Sequence, residues 1–357
     1  MKLLPVISAA LIATGTLFSL NAQSVTTDPV GYVTKELLPA SDNYFAPLFD
    51  RPAVFVGTIE SVNGSDLTLN GASFDASQLI YAAGTQPNTY FIRITSGPAQ
   101  GHFSTITAHT SSAVSTEFEQ DILNALAAGD SVSIKPYWTL GTLFPDDKAG
   151  VYFEASTSNF AGGRRTEVRF PDLTSAGIDK SPSSTYFFNG YWRLQGAVAA
   201  NRNDTVILPD SYLIIRTNNS SDALDLVVSG NVNLSGHVIS LASVPSSRND
   251  NPIAVPIPIA ISLIDLNLVG DNMPFVVSTS NFAAGRGDEL RVFVDGVAGI
   301  DRAPSATYFF NDFWRLQGSV AANQNETLIP AGAAILIRKQ ATAMPEISDW
   351  FVNLNLD

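Results

Sequence analysis

The residues best equipped for recognition chemistry lie in the decapeptide Thr185–Leu194, TYFFNGYWRL, which returns as Thr307–Leu316, TYFFNDFWRL. Aromatic faces stack on sugar rings and on partner side chains, and a neighbouring arginine adds a cation with several donors. Asn189-Gly190 has the signature of a two-residue hairpin turn, which sets Phe188 opposite Tyr191, Phe187 opposite Trp192 and Tyr186 opposite Arg193. Strand alternation then places Thr185, Phe187, Trp192 and Leu194 on one face and Tyr186, Phe188, Tyr191 and Arg193 on the other. The second group, with Tyr308, Phe310, Phe313 and Arg315 in the other copy, is the candidate binding face if it meets solvent. If a second layer or the other copy covers both faces, the hairpin is scaffold.

Other chemistry is poorly represented. The three histidines, His102, His109 and His237, have no carboxylate at a metal-ligand spacing, and no GxSxG elbow occurs. Asp146-Asp147, Asn249–Asn251 and Asp271-Asn272 read as turn formers, because none belongs to a spaced calcium loop with its closing Glu. Arg286-Gly287-Asp288 resembles an adhesion tripeptide, but its counterpart is Arg164-Arg165-Thr166. Charged residues recurring in both copies are Arg164 with Arg286, Glu167 with Glu289, Arg169 with Arg291, Asp179 with Asp301 and Arg193 with Arg315. They read as ion pairs that fix loops to a sheet. No catalytic residue, metal ligand or cofactor is assigned. With 33 acidic against 20 basic residues, a net charge of −13 and no basic patch, nucleic acid is not an expected partner.

These elements belong to a repeated segment. Ser156–Arg216 returns without a gap as Ser278–Arg338, with about 35 of 61 positions identical. A weaker echo joins Gly31–Phe49 to Gly236–Ile257 at an offset larger by about 83 residues, so the first copy carries extra chain between its opening strand and its STSNF segment. The expected plan is a first β unit over 28–51 and 137–230, a small β-barrel-like domain inserted at 52–136, a second β unit over 231–345 and a tail over 346–357. Asn63-Gly64 and Asn70-Gly71 mark turns inside the insert. One helix is expected over Glu117–Ala128, where Phe118, Ile122 and Leu126 form a stripe that plugs the barrel. Glycine and proline, 25 and 20 in number, punctuate short apolar runs, so the fold class is all-β with two β-sandwich-like units in tandem.

Lys2, the apolar run Leu3–Leu20 and the small residues up to Ala22 have the form of a secretory signal peptide. Ile253–Val269, the longest later apolar stretch, is broken by prolines, Asp265 and Asn267, so no membrane insertion is expected after cleavage. No cysteine is present, and export proceeds without disulfides.

GYVT near the exported N-terminus, PYWTLGTLFP at Pro136–Pro145, TYFFNGYWRLQG and PDSYLIIR together resemble an uncharacterised secreted all-β family that occurs as multiple paralogues in Verrucomicrobia and related bacteria. The resemblance implies a cell-envelope, periplasmic or extracellular location and carries over no catalytic residue. The expected function is a non-catalytic structural or binding module that meets itself, a glycan or another protein. The alternatives are glycan binding through the aromatic hairpin face and, further off, a polymer hydrolase with two converging carboxylates.

Overall fold

The computed structural model describes residues 29–218 and 222–353; the expected signal peptide, 1–22, lies outside the described residues. The chain is all-β. Two five-stranded antiparallel sheets have corresponding strand orders. The first runs Trp192–Leu194, Ser184–Phe188, Thr166–Phe170, Leu213–Thr217, Ser41–Phe45. The second runs Phe313–Leu316, Ala306–Asn311, Glu289–Phe293, Ala334–Lys339, Asn249–Ala254.

A ribbon of two longer strands covers one face of each sheet: Val30–Leu37 with Leu224–Asn231 in the first unit, His237–Ser243 with Glu346–Val352 in the second. Leu37, Leu226 and Val228 of the first ribbon meet Val168, Ile215, Phe188 and Trp192 of the sheet beneath, and Ile239, Trp350 and Val352 do the same over Leu290, Ile337 and Trp314. Burying residues of this size contributes about 1.5–3 kcal/mol each. The segment expected as a C-terminal tail is therefore a strand over Glu346–Val352. Its pattern was hard to read because only Trp350 and Val352 point inward while Ile347 and Phe351 remain exposed.

Phe55–Asn63, Asp66–Leu69, Ala113–Thr116, Phe103–His109, Tyr90–Ile94 and Ser131–Pro136 close into a six-stranded barrel around a separate core containing Ile59, Leu67, Ile92, Val114 and Ile134. The expected helix is only Gln120–Ala125, shorter than Glu117–Ala128. Leu126 is already extended, because the chain must turn to let Ala127 N donate to Asp130 Oδ2 (2.8 Å) and Gly129 N to Ile59 O (2.8 Å). Its stripe does pack on the barrel core through Phe118, Ile122, Leu123 and Leu126.

The barrel is bolted to both units by buried charge. Asp50, at the edge of the first unit, pairs with Arg93 and with Lys135 Nζ (3.0 Å), both on barrel strands. Burial alone would raise the Asp50 carboxyl, but the two cations outweigh it and hold it below its usual range. Arg93 also meets Nδ1 of His237, the first residue of the second unit's ribbon, at 3.4 Å. Burial and the neighbouring Arg93 depress the His237 imidazole to about 3, so it stays neutral.

The uncovered faces of the two five-stranded sheets turn toward each other. Tyr44, Tyr212, Ile214, Phe293, Ala334 and Leu336 fill the contact, with Tyr44 and Phe293 stacked at 4.1 Å and 12°. Around this apolar patch the units exchange equivalent loops. Asp301 of the second unit reaches Arg216 and Asp42 of the first: Asp301 N donates to Asp42 Oδ2 (2.7 Å), and Arg216 holds both the Asp301 and the Asp42 carboxylates. Asp179 of the first unit reaches Arg338 and Asp250 of the second in the same way, with Asp179 N donating to Asp250 Oδ2 (2.7 Å). Asp179 and Asp301 both adopt φ 50°, the left-handed region that Asp tolerates better than most residues. The contact has the form of an isologous dimer interface made within one chain.

Candidate functional site

The expected aromatic face does not exist as one surface. Phe188 pairs with Trp192, Phe187 with Arg193 and Tyr186 with Leu194, one residue out of the expected register, and Phe310–Trp314, Phe309–Arg315 and Tyr308–Leu316 repeat it. The loop runs Asn189 to Tyr191 around Gly190 at φ 78°, replaced by Asp312 at φ 64° in the second copy. A one-residue slip changes which side chains share a face. In this register Tyr186, Phe188, Trp192 and Leu194 all join the core and Arg193 faces outward, an arrangement that buries four apolar groups together.

Tyr186, Phe188 and Tyr308 are therefore buried, and Phe310 packs against the second core. Tyr191 and Phe313 are half-buried beneath arginine: the Arg193 guanidinium lies 3.7 Å over Tyr191, and Arg315 lies 3.7 Å over Phe313. Arg193 Nε donates to Asn189 O (2.9 Å) and Nη1 to Val198 O (2.6 Å); Arg315 repeats this with Asn311 O (2.9 Å) and Val320 O (2.6 Å). These arginines staple the hairpin tip to the following loop. Phe187 and Phe309 on the outer face are also sealed, under Arg164 (4.9 Å) and Arg286 (4.7 Å).

Of the recurrent charges, Arg164 and Arg169 converge on Glu167 (3.4 and 2.9 Å), and Arg286 and Arg291 on Glu289 (3.6 and 3.1 Å), within one unit as expected. Asp179 and Asp301 differ: they cross between the units. The Arg286-Gly287-Asp288 tripeptide is closed to partners, since Asp288 is fully buried and pairs with Lys339 Nζ at 2.6 Å.

The most exposed aromatic groups among the described residues are Phe160 and Phe282, each 81% exposed at equivalent positions of the STSNFA segment; Tyr32, at 78%, has no such counterpart in the second copy. Each sits at the tip of a braced loop. Thr157 N donates to Gly163 O (2.8 Å), Phe160 N to Ser158 Oγ (3.3 Å) and Gly163 N to Phe160 O (2.9 Å). Thr279, Phe282 and Gly285 repeat these bonds at 2.8, 3.3 and 3.0 Å. Gly163 closes against Ser158, where a Cβ would stand 2.1 Å from its hydroxyl oxygen. Asn189 Nδ2 of the hairpin tip donates to Asn159 Oδ1 (2.8 Å), and Asn311 to Asn281 likewise (2.8 Å). The loop and the hairpin tip thus form one rigid edge on each unit, with a phenylalanine beside paired amides and a half-buried Tyr191 or Phe313. Periodicity could not reveal Phe160, which lies in a loop; its signal is the unchanged STSNFA in both copies, a signal that the hairpin segments TYFFN and WRLQG share.

A second feature is singular. Asp210 lines a cavity of about 190 Å³ with Ser211, Ser240, Asn251 and Asp250. Its Oδ1 is shielded and has no protein partner, and burial raises the carboxyl to about 6. Asp250 across the cavity is committed to Arg338. Among the described residues no group of three or more His, Cys, Asp and Glu side chains is placed to hold a metal ion, and no helix is long and apolar enough to cross a membrane. No family model, curated protein or solved structure matches this chain.

Proposed function

We propose that this chain is an exported, non-catalytic binding module of the cell envelope or extracellular space, and that it engages its ligand through the twin edges carrying Phe160 and Phe282. One observation carries the reading: the same phenylalanine is held in water in both units by the same set of loop hydrogen bonds. A single exposed apolar residue needs no explanation. Here about 26 of 61 aligned positions differ between the copies, yet the loop keeps both its ring and the bonds that fix the backbone carrying it. A loop backbone ordered beforehand loses less conformational entropy on binding.

Two equivalent edges on one rigid body suit a ligand that itself repeats, such as a polysaccharide, because the second contact forms at high effective concentration. Stacking of Phe160 on a sugar face, with Asn159 and Asn189 alongside, is the contact chemistry that such an edge offers. This moves the glycan-binding role from the Tyr186 and Phe188 face, which is buried, to the loop. The test is binding to a panel of insoluble and arrayed polysaccharides by wild type, Phe160→Ser, Phe282→Ser and the double variant. Loss that is much larger in the double variant than in either single one supports the reading; equal binding by all four rejects it.

A further inference from the structure

A cavity of about 500 Å³ opens where the two facing sheets diverge, beside the stacked Tyr44 and Phe293. Most of its charged lining is mutually satisfied. Arg216 serves Asp42 and Asp301, Arg291 serves Glu289 and Asp179, and Arg169 serves Glu167. Two cations remain, Lys180 and Arg302, at equivalent positions of the two units. Lys180 Nζ donates to Ser175 O (2.9 Å); Arg302 donates to Asp42 O (3.1 Å) and Val294 O (3.4 Å). Neither forms an ion pair among the described residues: carbonyl oxygens take their hydrogen bonds, and Asp172 and Asp250, the carboxylates that act on Lys180, stand beyond ion-pair distance. Nε of Arg169 and of Arg291 is shielded and without a partner as well.

At the rim, the side chains of Asp179 and Asp301 are 72% and 78% exposed and present free acceptor positions, while Pro182, Pro304, Ile214 and Leu336 supply apolar wall. A cation in a partly desolvated cleft attracts anions strongly, because the local dielectric is below that of water. A cleft of this volume at a unit boundary is large enough for a ligand of one or two sugar rings. Anionic groups inside, hydroxyl donors at the rim and ring faces against the prolines describe one ligand class. We propose that this cavity binds a short acidic saccharide, its carboxylate or sulfate groups neutralising Lys180 and Arg302 and its hydroxyls donating to Asp179 and Asp301. The site is separate from the Phe160 and Phe282 edges and does not depend on their role.

The test is calorimetric titration of the full mature chain with digalacturonate, a sulfated disaccharide and neutral cellobiose. At least one anionic probe is expected to bind, tenfold or more tightly than cellobiose, and to weaken as NaCl is raised; the tighter of the two assigns carboxylate or sulfate as the recognised group. Lys180→Gln with Arg302→Gln should weaken that binding at least tenfold, Lys180→Arg should retain it, and Phe160→Ser with Phe282→Ser should leave it unchanged. Binding of neither anion, equal binding of cellobiose, or indifference to the Lys180 and Arg302 changes in a variant that melts like wild type would overturn the proposal.

Discussion

Asp210→Asn should make this protein more stable at neutral pH. The Asp210 carboxyl titrates at about 6 in the folded chain against 3.8 for the free group, with burial as the largest cause. A folded-state value raised above the unfolded one means that the folded chain holds its proton more tightly. The neutral form's advantage is complete below about pH 3.8 and is lost as pH rises through 6, where the charge must form beside a shielded, partnerless Oδ1. A difference of roughly 2 units corresponds to about 3 kcal/mol at pH 7, an upper bound because the residue is not wholly shut from water. Asparagine keeps the shape and removes the ionisation. At about 2.1 cal/mol/K of unfolding entropy per residue, 3 kcal/mol over a chain of this length raises the melting midpoint by about 4 °C. Scanning calorimetry of both proteins at pH 7 and pH 3.5 gives the comparison. His237 acts in the opposite sense, its folded value of about 3 lying below the ordinary 6.5, so its contribution is present above pH 6.5 and lost as pH falls toward 3. That contribution is common to both proteins and cancels in the difference. An Asn variant that melts no higher than wild type at pH 7, or one whose advantage persists undiminished at pH 3.5, refutes the reasoning.

The exchanged loops give an asymmetric pair of outcomes. Asp42→Ala leaves the largely buried Arg216 without its inner carboxylate and should cost about 3–5 kcal/mol, whereas Asp301→Ala removes a solvent-facing partner and should cost about 1 kcal/mol or less, both read by urea denaturation. Gly287→Ala should destabilise by about 1–3 kcal/mol, since the added Cβ would stand 2.3 Å from Val276 O and 2.7 Å from Val277 O, both backbone; a neutral outcome by the same assay would mean that this loop yields. Arg193→Lys should loosen the hairpin tip, because a single ammonium cannot span Asn189 O and Val198 O while covering Tyr191, and amide exchange at residues 189–200 should accelerate.

The strand-rich class was legible because Gly and Pro break the chain into short alternating runs. The hairpin register was not. Asn189-Gly190 supports a two-residue turn locally, but a different closure puts Tyr186, Phe188, Trp192 and Leu194 together in the core, and burial decided between the two. The partners of Asp179 and Asp301 were out of reach for a related reason. A repeated charge suggests a repeated bond within each copy, and nothing in the letters says that equivalent loops have been exchanged across a pseudo-twofold contact. One long-range pair did leave a trace. Where the second copy has Asp288 and Lys339, the first has Thr166 and Thr217, so both members of a buried ion pair change together to small hydroxyls. The exposed ring of Phe160 belongs to a segment with neither strand nor helix period, and only its setting in three dimensions separates it from the sealed Phe187.

The account rests on Phe160 and Phe282 acting as a pair, and the most direct measurement is the affinity of the protein for an immobilised polysaccharide that the wild type retains, determined for the two single serine variants and the double. A bivalent contact predicts that either single change lowers apparent affinity by about tenfold or more through lost avidity and that the double change abolishes retention. Four indistinguishable affinities, with all proteins melting alike, would contradict it.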